Sequence, residues 1–293
     1  MTIKDTKSST AKPRSVLITG CSDGGLGAAL AIELHGAGLH VYATARNPSK
    51  LAQVQAHGIE TFTLDVTSQD SIVAAVARVP SLDILVNNAG ALYSMPFSDM
   101  SIPRAKELFD LNVWSYLAVT QAFLPTLIKS KGIVVNQTSS AGSEAIAFQS
   151  AYNASKAAMI MFSDCMKLEL APFGVKVVNL RTSNAASNNY NNQAGRADIQ
   201  LPNGSIYQVA KEAVERTMRG DGFPMEVTAE QWARQVAQDL LKHDPPPSNI
   251  WRGTKAWVGW LSSLRPFGLP EVVLKKLAGL DVVEKAVRQS ERA

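Results

Sequence analysis

The sequence predicts an α/β protein built on a doubly wound parallel sheet with helices on both faces. Three observations carry this expectation. From Ser15 onward, short apolar, β-branched runs alternate with helical patterns, and such alternation makes right-handed crossovers and a sheet covered on both sides. The first run leads through a glycine-rich turn straight into a helix. At 293 residues and 31.5 kDa, the chain can bury a full core without metal or disulfide staples. Its 46% apolar and 18% charged residues exclude disorder, coiled coil and collagen.

The elements follow in order. VLIT (16–19) is a fully apolar strand, and LGAALAIELHGAG (26–38) has helical spacing and ends at Gly36 and Gly38. LHVYATA (39–45), ETFTLDV (60–66), SLDILVNN (81–88), GIVVNQTS (132–139) and GVKVVNL (174–180) are the next strands, with helical segments between them. No internal repeat and no Pro-, Gly- or Ser-rich linker interrupts residues 14–180.

After Leu180 the texture changes. An Asn- and Ser-rich loop spans 182–205, helical patterns cover 206–219 and 228–242, and Pro245-Pro246-Pro247 breaks the chain. This last third shows no strand alternation. The expectation is a flexible tail over 1–13 and one domain over 14–293, with 182–293 forming a substrate-binding loop and helical cap. That cap should lie over the carboxyl ends of the strands, where such sheets bind ligands.

Composition narrows the function further. Cys21 and Cys165 cannot make a disulfide framework and fit a reducing compartment. His35, His40, His57 and His243 have no metal-ligand spacing, so no metal is expected. A net charge of +4, scattered along the chain, gives no nucleic-acid groove but suits a phosphate-bearing ligand. No run approaches the roughly 18 apolar residues of a membrane span, and the polar opening MTIKDTKSSTAKPRS is no signal peptide. A soluble, cytoplasmic protein is expected.

Thr19-Gly20-Cys21-Ser22-Asp23-Gly24-Gly25-Leu26-Gly27 joins the first strand to its helix. Glycines there let the backbone approach a pyrophosphate, and the helix start supplies N–H donors. The same residues spell G-x-S-x-G, the nucleophile elbow of an α/β-hydrolase. That elbow needs an earlier strand to supply an oxyanion-hole donor, and only the tail precedes this one. The sole late histidine, His243, abuts the triple proline.

Tyr152-Asn153-Ala154-Ser155-Lys156 puts a phenol and an ammonium at i and i+4 on one helix face, about 6 Å of rise apart. A second copy, Tyr207 and Lys211, fits a solvated helix face. Context separates the two. Thirteen residues before Tyr152 lies Ser139 at the end of a strand; thirteen before Tyr207 lies Ala194.

The glycine turn, Asp65-Val66, Asn88-Ala89-Gly90, Asn112, Ser139 and Tyr152/Lys156 stand in the order and spacing of the short-chain dehydrogenase/reductase family, which residues 14–190 resemble. The resemblance implies a Rossmann-type sheet of about seven strands. It implies Tyr152 as proton donor to a substrate carbonyl, Ser139 on the same oxygen, and Lys156 on the nicotinamide ribose, lowering the phenol pKa. It implies Asn112 as anchor of a proton-relaying water. Cofactor contacts are expected from Gly20, Ser22, Gly25, Leu26, Gly27, Asp65, Val66, Asn88, Ala89, Gly90, Tyr152 and Lys156. The electrostatics agree, because an ammonium and an oxidised nicotinamide both lower a phenol that titrates near 10 when free.

Family members that use NAD generally carry an acidic residue at the end of the second strand. Here the chain reads Ala43-Thr44-Ala45-Arg46-Asn47, which offers a guanidinium to a 2′-phosphate, with Lys50 assisting. NADP(H) is the expected cofactor; Arg46 as solvated surface is the alternative. Two departures stand out. One extra residue lies between Gly20 and Gly27, so either Gly24 or Gly25 takes the middle role. Thr182 and Ser183 replace the family's Pro-Gly, and Ser187 replaces its Thr, leaving Ala185 and Ser187 as the best matches for contacts to the nicotinamide amide.

Leu201-Pro202-x-x-Ser205-x-Tyr207 and Ile250-Trp251-Arg252-Gly253-Thr254-x-Ala256-Trp257 resemble fungal reductases akin to NADPH-dependent 1-acyldihydroxyacetone-phosphate reductase. That likeness implies reduction of a ketone or aldehyde on an apolar substrate, either a lipid intermediate or a secondary metabolite. A cofactor-binding sensor or scaffold without turnover is the rival, for which the altered 182–183 loop speaks. The family likeness also implies a homo-oligomer formed through helices near 101–122 and 151–171. Trp257, Trp260, Leu261 and Leu264 fall on one helical stripe that Pro266 ends. Val272, Val273, Leu277 and Leu280 follow opposite Lys275 and Lys276. This tail fits packing on the sheet or a partner, a lid over an apolar pocket, or a helix on a membrane surface, the last consistent with peripheral contact to endoplasmic reticulum or lipid droplets.

Overall fold

A computed structural model describes residues 13–187, 199–221, 224–263, 276, 279–290 and 292. Its centre is a parallel sheet of β1 (Ser15–Ile18), β2 (His40–Ala45), β3 (Glu60–Thr63), β4 (Ile84–Asn87), β5 (Ile133–Ser139), β6 (Lys176–Thr182) and β7 (Asn249–Arg252), in the order β3-β2-β1-β4-β5-β6-β7. Val16 lies opposite Val41 on one side and Ile84 on the other, and Val135 lies between Val86 and Val178. β1, β4 and β5 are buried along their whole length, which is why their sequences are continuous apolar runs rather than alternating ones.

The strand order reverses between β1 and β4, and a sheet of this kind opens a crevice outside the carboxyl ends at such a point. One face of the sheet, with Val16, Ile18, Val86, Val135 and Leu180, packs on α1 (Leu26–Gly36) and α8 (Ala229–Lys242). The alanines Ala28, Ala29, Ala31, Ala233 and Ala237 lie in that interface, and Trp232 is fully buried there. The other face, with Leu17, Leu85, Val134 and Val177, meets α3 (Gln69–Arg78), α5 (Ser115–Ser130) and α6 (Ser150–Leu170). A short α2 (Ala52–Ala56) and α4 (Ile102–Phe109) complete this part. The Ser68 and Ser101 hydroxyls cap α3 and α4, and Thr228 with Gln231 forms a capping box on α8.

The seven strands agree with the number that the family resemblance implies; the residue pattern alone places six and none after Leu180, and β7 is the one it lacks. It is a four-residue edge strand, NIWR, with Asn249 exposed and only Ile250 buried, too short and too polar to show a period. The strand expected over 60–66 ends at Thr63. Beyond it the Asp65 carboxylate accepts from the Thr67 N–H and hydroxyl, closing a turn.

In the cap, Ala186 forms an isolated bridge with Thr228, and the Ala186 N–H donates to the Val227 carbonyl at 2.8 Å. Beyond this bridge, α7 (Lys211–Met218) and α10 (Leu280–Ser290) enclose Phe148, Leu201, Val214 and Met218 in a small core of their own. In α9 (Ala256–Ser263), Trp257, Trp260 and Leu261 are 66%, 49% and 44% exposed, so this stripe does not pack on the sheet. Leu264, Pro266, Val272, Val273, Lys275 and Leu277 lie outside the described residues, as do residues 1–12 of the expected tail and 188–198 of the Asn-rich loop. Among the described residues, no helix is long and apolar enough to cross a membrane.

Candidate active site

A cavity of about 300 Å³ lies at the carboxyl ends of the strands, at the β1/β4 reversal. Its floor is the glycine turn. Gly20 has φ +75°, and a Cβ there would stand 2.7 Å from the Ala89 Cα; only glycine fits both demands. Gly25 precedes α1 and lines the cavity, whereas the Gly24 N–H turns away to the Gln53 side chain, so Gly25 holds the middle position. A Cβ on Gly27 would come within 2.6 Å of the Gly20 carbonyl oxygen, so this residue sets the approach of α1 to the turn rather than lining the cavity. The Asn88 amide donates to the carbonyls of Thr19 and Gly20 at 2.8 and 3.0 Å, and the Thr19 hydroxyl accepts from the Asn88 and Ala89 N–H groups. The two strand ends that flank the reversal are thereby locked together.

Ser139, Tyr152 and Lys156 all line this cavity. The Lys156 ammonium donates to the Gln137 carbonyl at 3.0 Å and lies 5.5 and 5.8 Å from the ring centres of Tyr116 and Tyr152. Burial pushes its pKa down to about 8, because removal from water disfavours the charged form. The Tyr116 hydroxyl shares the Gln137 carbonyl at 3.3 Å, and burial raises its pKa. Gly142 lets the turn after Ser139 lie against α6, since a Cβ there would stand 2.8 Å from the Lys156 carbonyl carbon.

Asn112 is fully buried in a π-helical turn, Asp110–Trp114, between α4 and α5. Its amide accepts from the Ala91 N–H and donates to the Ala91 carbonyl, both at 2.9 Å, and also donates to the Ser155 hydroxyl at 3.1 Å. Ser155 in turn donates to the Tyr152 carbonyl at 2.7 Å. Asn112 thus ties the loop after β4 to the turn of α6 that carries Tyr152 and Lys156, without lining the cavity itself.

The other residues singled out in the sequence divide cleanly. Ser22, Leu26, Arg46, Asp65, Val66, Asn88, Ala89, Gly90, Ala185 and Ser187 line the cavity. Lys50 does not; it ends a 3₁₀ turn, and its carbonyl accepts from the Asp23 N–H. Arg46 is exposed at the end of β2 and, among the described residues, has no hydrogen-bond or ion-pair partner. Asp65 sits across from it, its carboxyl pKa lowered first by the Thr67 hydroxyl bond and in part by Arg46. Tyr207 and Lys211 do not share the site. Tyr207 stacks edge-on against Phe148 at 5.5 Å in the cap core, not on a solvated helix face, and Lys211 pairs with Glu215. No histidine lines the cavity, so Ser22 has no base and the nucleophile-elbow reading fails.

Sequence reasoning missed Gln137, Gln149, Leu92 and Ile146, which line the cavity beside the three central residues. The signal for the first was a polar residue two before Ser139 on the same buried strand. For Gln149 it was a polar residue one helical turn before Tyr152.

Residues 14–198 match the family pattern of the short chain dehydrogenases. The chain belongs to the short-chain dehydrogenase/reductase family. A short-chain dehydrogenase/reductase of Pestalotiopsis microspora is 53% identical over 94% of this chain and 97% of its own length. The NADPH-dependent 1-acyldihydroxyacetone phosphate reductase of Schizosaccharomyces pombe is 35% identical over 86% of this chain and 89% of its own. A crystal structure of a short-chain dehydrogenase from Streptomyces avermitilis is 26% identical and superimposes with a TM-score of 0.73, covering 94% of this chain and 98% of the other.

Short-chain dehydrogenases/reductases are oxidoreductases that use nicotinamide cofactors, and the cavity suits such a group. The turn is closed to any side chain at Gly20, the start of α1 opens onto the cavity, and an unpaired guanidinium stands at its rim. Thr182 and Ser183, expected to stand in place of the family's Pro-Gly, are both held by hydrogen bonds. The Thr182 hydroxyl accepts from Gln137 Nε2 at 3.0 Å and from the Trp232 indole at 3.2 Å, and Ser183 donates to the Thr254 carbonyl at 2.9 Å. Strand β6 is thus bound to β5, to α8 and to the segment after β7 at the point where the family carries Pro-Gly.

Proposed function

We propose that this chain is an NADPH-dependent reductase that converts a ketone or aldehyde to an alcohol, with Tyr152 as proton donor. The observation that carries the reading is the convergence of Ser139, Tyr152 and the buried Lys156 on the cavity that also holds the glycine turn and Arg46. When bound, the reduced nicotinamide supplies a hydride to the carbonyl carbon. Gly20, Ser22, Gly25 and Leu26 would hold its pyrophosphate, Asp65 and Val66 its adenine end, and Asn88, Ala89, Gly90, Ala185 and Ser187 the remainder. Arg46 would pair with the 2′-phosphate, a charge-assisted contact that NAD cannot make.

Ser139 donates a hydrogen bond to the substrate carbonyl oxygen, which polarises it and steadies the charge that develops there. Tyr152 gives its phenol proton to the same oxygen, so carbonyl, hydride and proton together make the alcohol. Each unit by which its pKa is lowered requires about 1.4 kcal/mol of differential stabilisation; the Lys156 ammonium supplies it at close range. Gln137 and Asn112 act as positioning residues. The first holds Lys156 and the second holds the loop against α6.

Leu92, Ala141 and Ile146 make the substrate end apolar. With the fungal relatives, this favours a lipid intermediate or a secondary metabolite. The relatives also favour a homo-oligomer, for which Ile102, Trp114, Met161, Leu168 and Phe173 form exposed apolar positions on and around α4 to α6. Two free thiols, Cys21 and Cys165, suit the cytoplasm. The second reading, a cofactor-binding protein without turnover, rests on Thr182 and Ser183; the hydrogen bond from Gln137 to Thr182, which holds this stretch at the cavity, favours the enzyme. A panel of apolar ketones incubated with purified protein and NADPH tests this. Steady loss of reduced-cofactor absorbance with alcohol formed in equal amount is expected. Tight NADPH binding with no ketone reduced would select the second reading.

A further inference from the structure

Gln149 is 3% exposed, lines the cavity three residues before Tyr152, and among the described residues its side-chain amide has no hydrogen-bond partner. It stands at the N-cap of α6, yet its side chain caps nothing. Gln137 Oε1 and Asn179 Nδ2 are unpartnered atoms sealed from solvent; the Gln149 amide is not sealed, so it keeps a face on the cavity. Without a partner in the protein and open to the cavity, this amide is free to bond a molecule that enters it.

The backbone before it is built for this placement. Phe148 has φ +65°, a left-handed conformation that a bulky side chain rarely adopts. Its carbonyl accepts from the Met95 N–H at 2.7 Å, and its ring packs on Tyr207 in the cap core. Strain of this kind persists only where the surroundings fix it, and it concentrates at functional sites. Here the reversal lets one residue face the cap core and the next face the cavity.

We propose that Gln149 determines specificity by hydrogen-bonding a second oxygen of the substrate, so that the substrate class is an oxygenated ketone or aldehyde. This rests on the reductase reading above. Ser139 and Tyr152 occupy both lone pairs of the reacting carbonyl oxygen, leaving none for a third donor. Gln149 is the N-cap residue one turn before Tyr152 and lines the same cavity, so the second oxygen belongs to the same small substrate, near its carbonyl. An amide both donates and accepts, so a hydroxyl, keto or ester oxygen fits.

The test compares acetophenone with α-hydroxyacetophenone in the wild type, Gln149→Leu and Gln149→Glu, using NADPH. The wild type is expected to prefer the hydroxy ketone. In Gln149→Leu that preference, as a ratio of kcat/KM, should fall about tenfold, chiefly through KM. Gln149→Glu accepts a hydrogen bond and should retain the preference, which keeps the test decisive if the leucine protein folds poorly. NADPH fluorescence titration should give the same Kd in all three. A ratio unchanged by both substitutions, an equal loss on both ketones, or a Kd for NADPH that moves while the ratio does not would each overturn the inference. A wild type that reduces neither ketone, nor any of the apolar panel, instead overturns the reductase reading beneath it.

Discussion

The ammonium of Lys156 donates to the backbone carbonyl of Gln137 at 3.0 Å, deep enough in the protein that burial holds its pKa at about 8 instead of 10.5. In the proposed mechanism the charged form is the one that assists Tyr152, so carbonyl reduction should hold below about pH 8 and fall as pH rises through that value. For stability the sign is the reverse. Between about pH 8 and 10.5 the unfolded chain binds a proton at this lysine that the folded chain has lost, so this group's contribution to stability rises with pH across that window. Initial rates and thermal melts of the same protein over pH 6.5–10.5 check both halves.

Tyr152→Phe removes the proposed proton donor and should cut kcat by about two to four orders of magnitude with NADPH binding largely intact. Tyr207→Phe keeps the ring that meets Phe148 and should change kcat only a few-fold. Steady-state kinetics of the two proteins side by side decide which Tyr-x-x-x-Lys copy works. The opposite ranking would dismantle the site described above.

Arg46→Ala should erode the preference for NADPH over NADH by roughly ten- to a hundredfold, the worth of a charge-assisted phosphate contact at about 1.5–3 kcal/mol. Arg46→Asp, which restores an acceptor for the ribose hydroxyls, should turn the preference toward NADH. Dissociation constants for both cofactors measure this directly. Discrimination that survives in the alanine protein would move the 2′-phosphate elsewhere.

The two thiols should differ sharply in reactivity. Cys21 is fully buried at the start of the glycine turn, with its pKa raised by burial to about 12, while Cys165 is exposed on α6. A thiol reagent at neutral pH should therefore label Cys165 quickly and Cys21 only after unfolding. Peptide mapping of protein labelled with and without denaturant reads the outcome.

Much of this fold is legible in the chain because the inner strands are buried on both faces. VLIT and GIVVNQTS admit no other reading once helices follow each. The residues Ser139, Tyr152 and Lys156 are legible because the spacing between a strand end and a helix face is fixed by the crossover that joins them. What escaped depends on contacts between distant segments. β7 exists because Asn249–Arg252 can pair with β6, and nothing local in NIWR announces that. Lys50 is expected beside Arg46 from sequence proximity alone; Asn47 and Pro48 start a 3₁₀ turn that ends at Lys50, which does not line the cavity. Gln149 escaped for the same reason. Its polarity is ordinary at a helix start, and only the reversal at Phe148 and the wall of Leu92 and Ile146 give it meaning.

The hydrogen bond from Ala186 to Val227 makes the segment between them an excursion that leaves and rejoins the protein at one place. The excursion is nonetheless keyed to the site it leaves: Tyr207 meets the Phe148 ring, Ser205 donates to Asp99, and Leu201 and Met218 share one small core with Phe148. A change made within it is therefore felt at Phe148, next to Gln149, and whoever recasts the excursion must recast its seat as well.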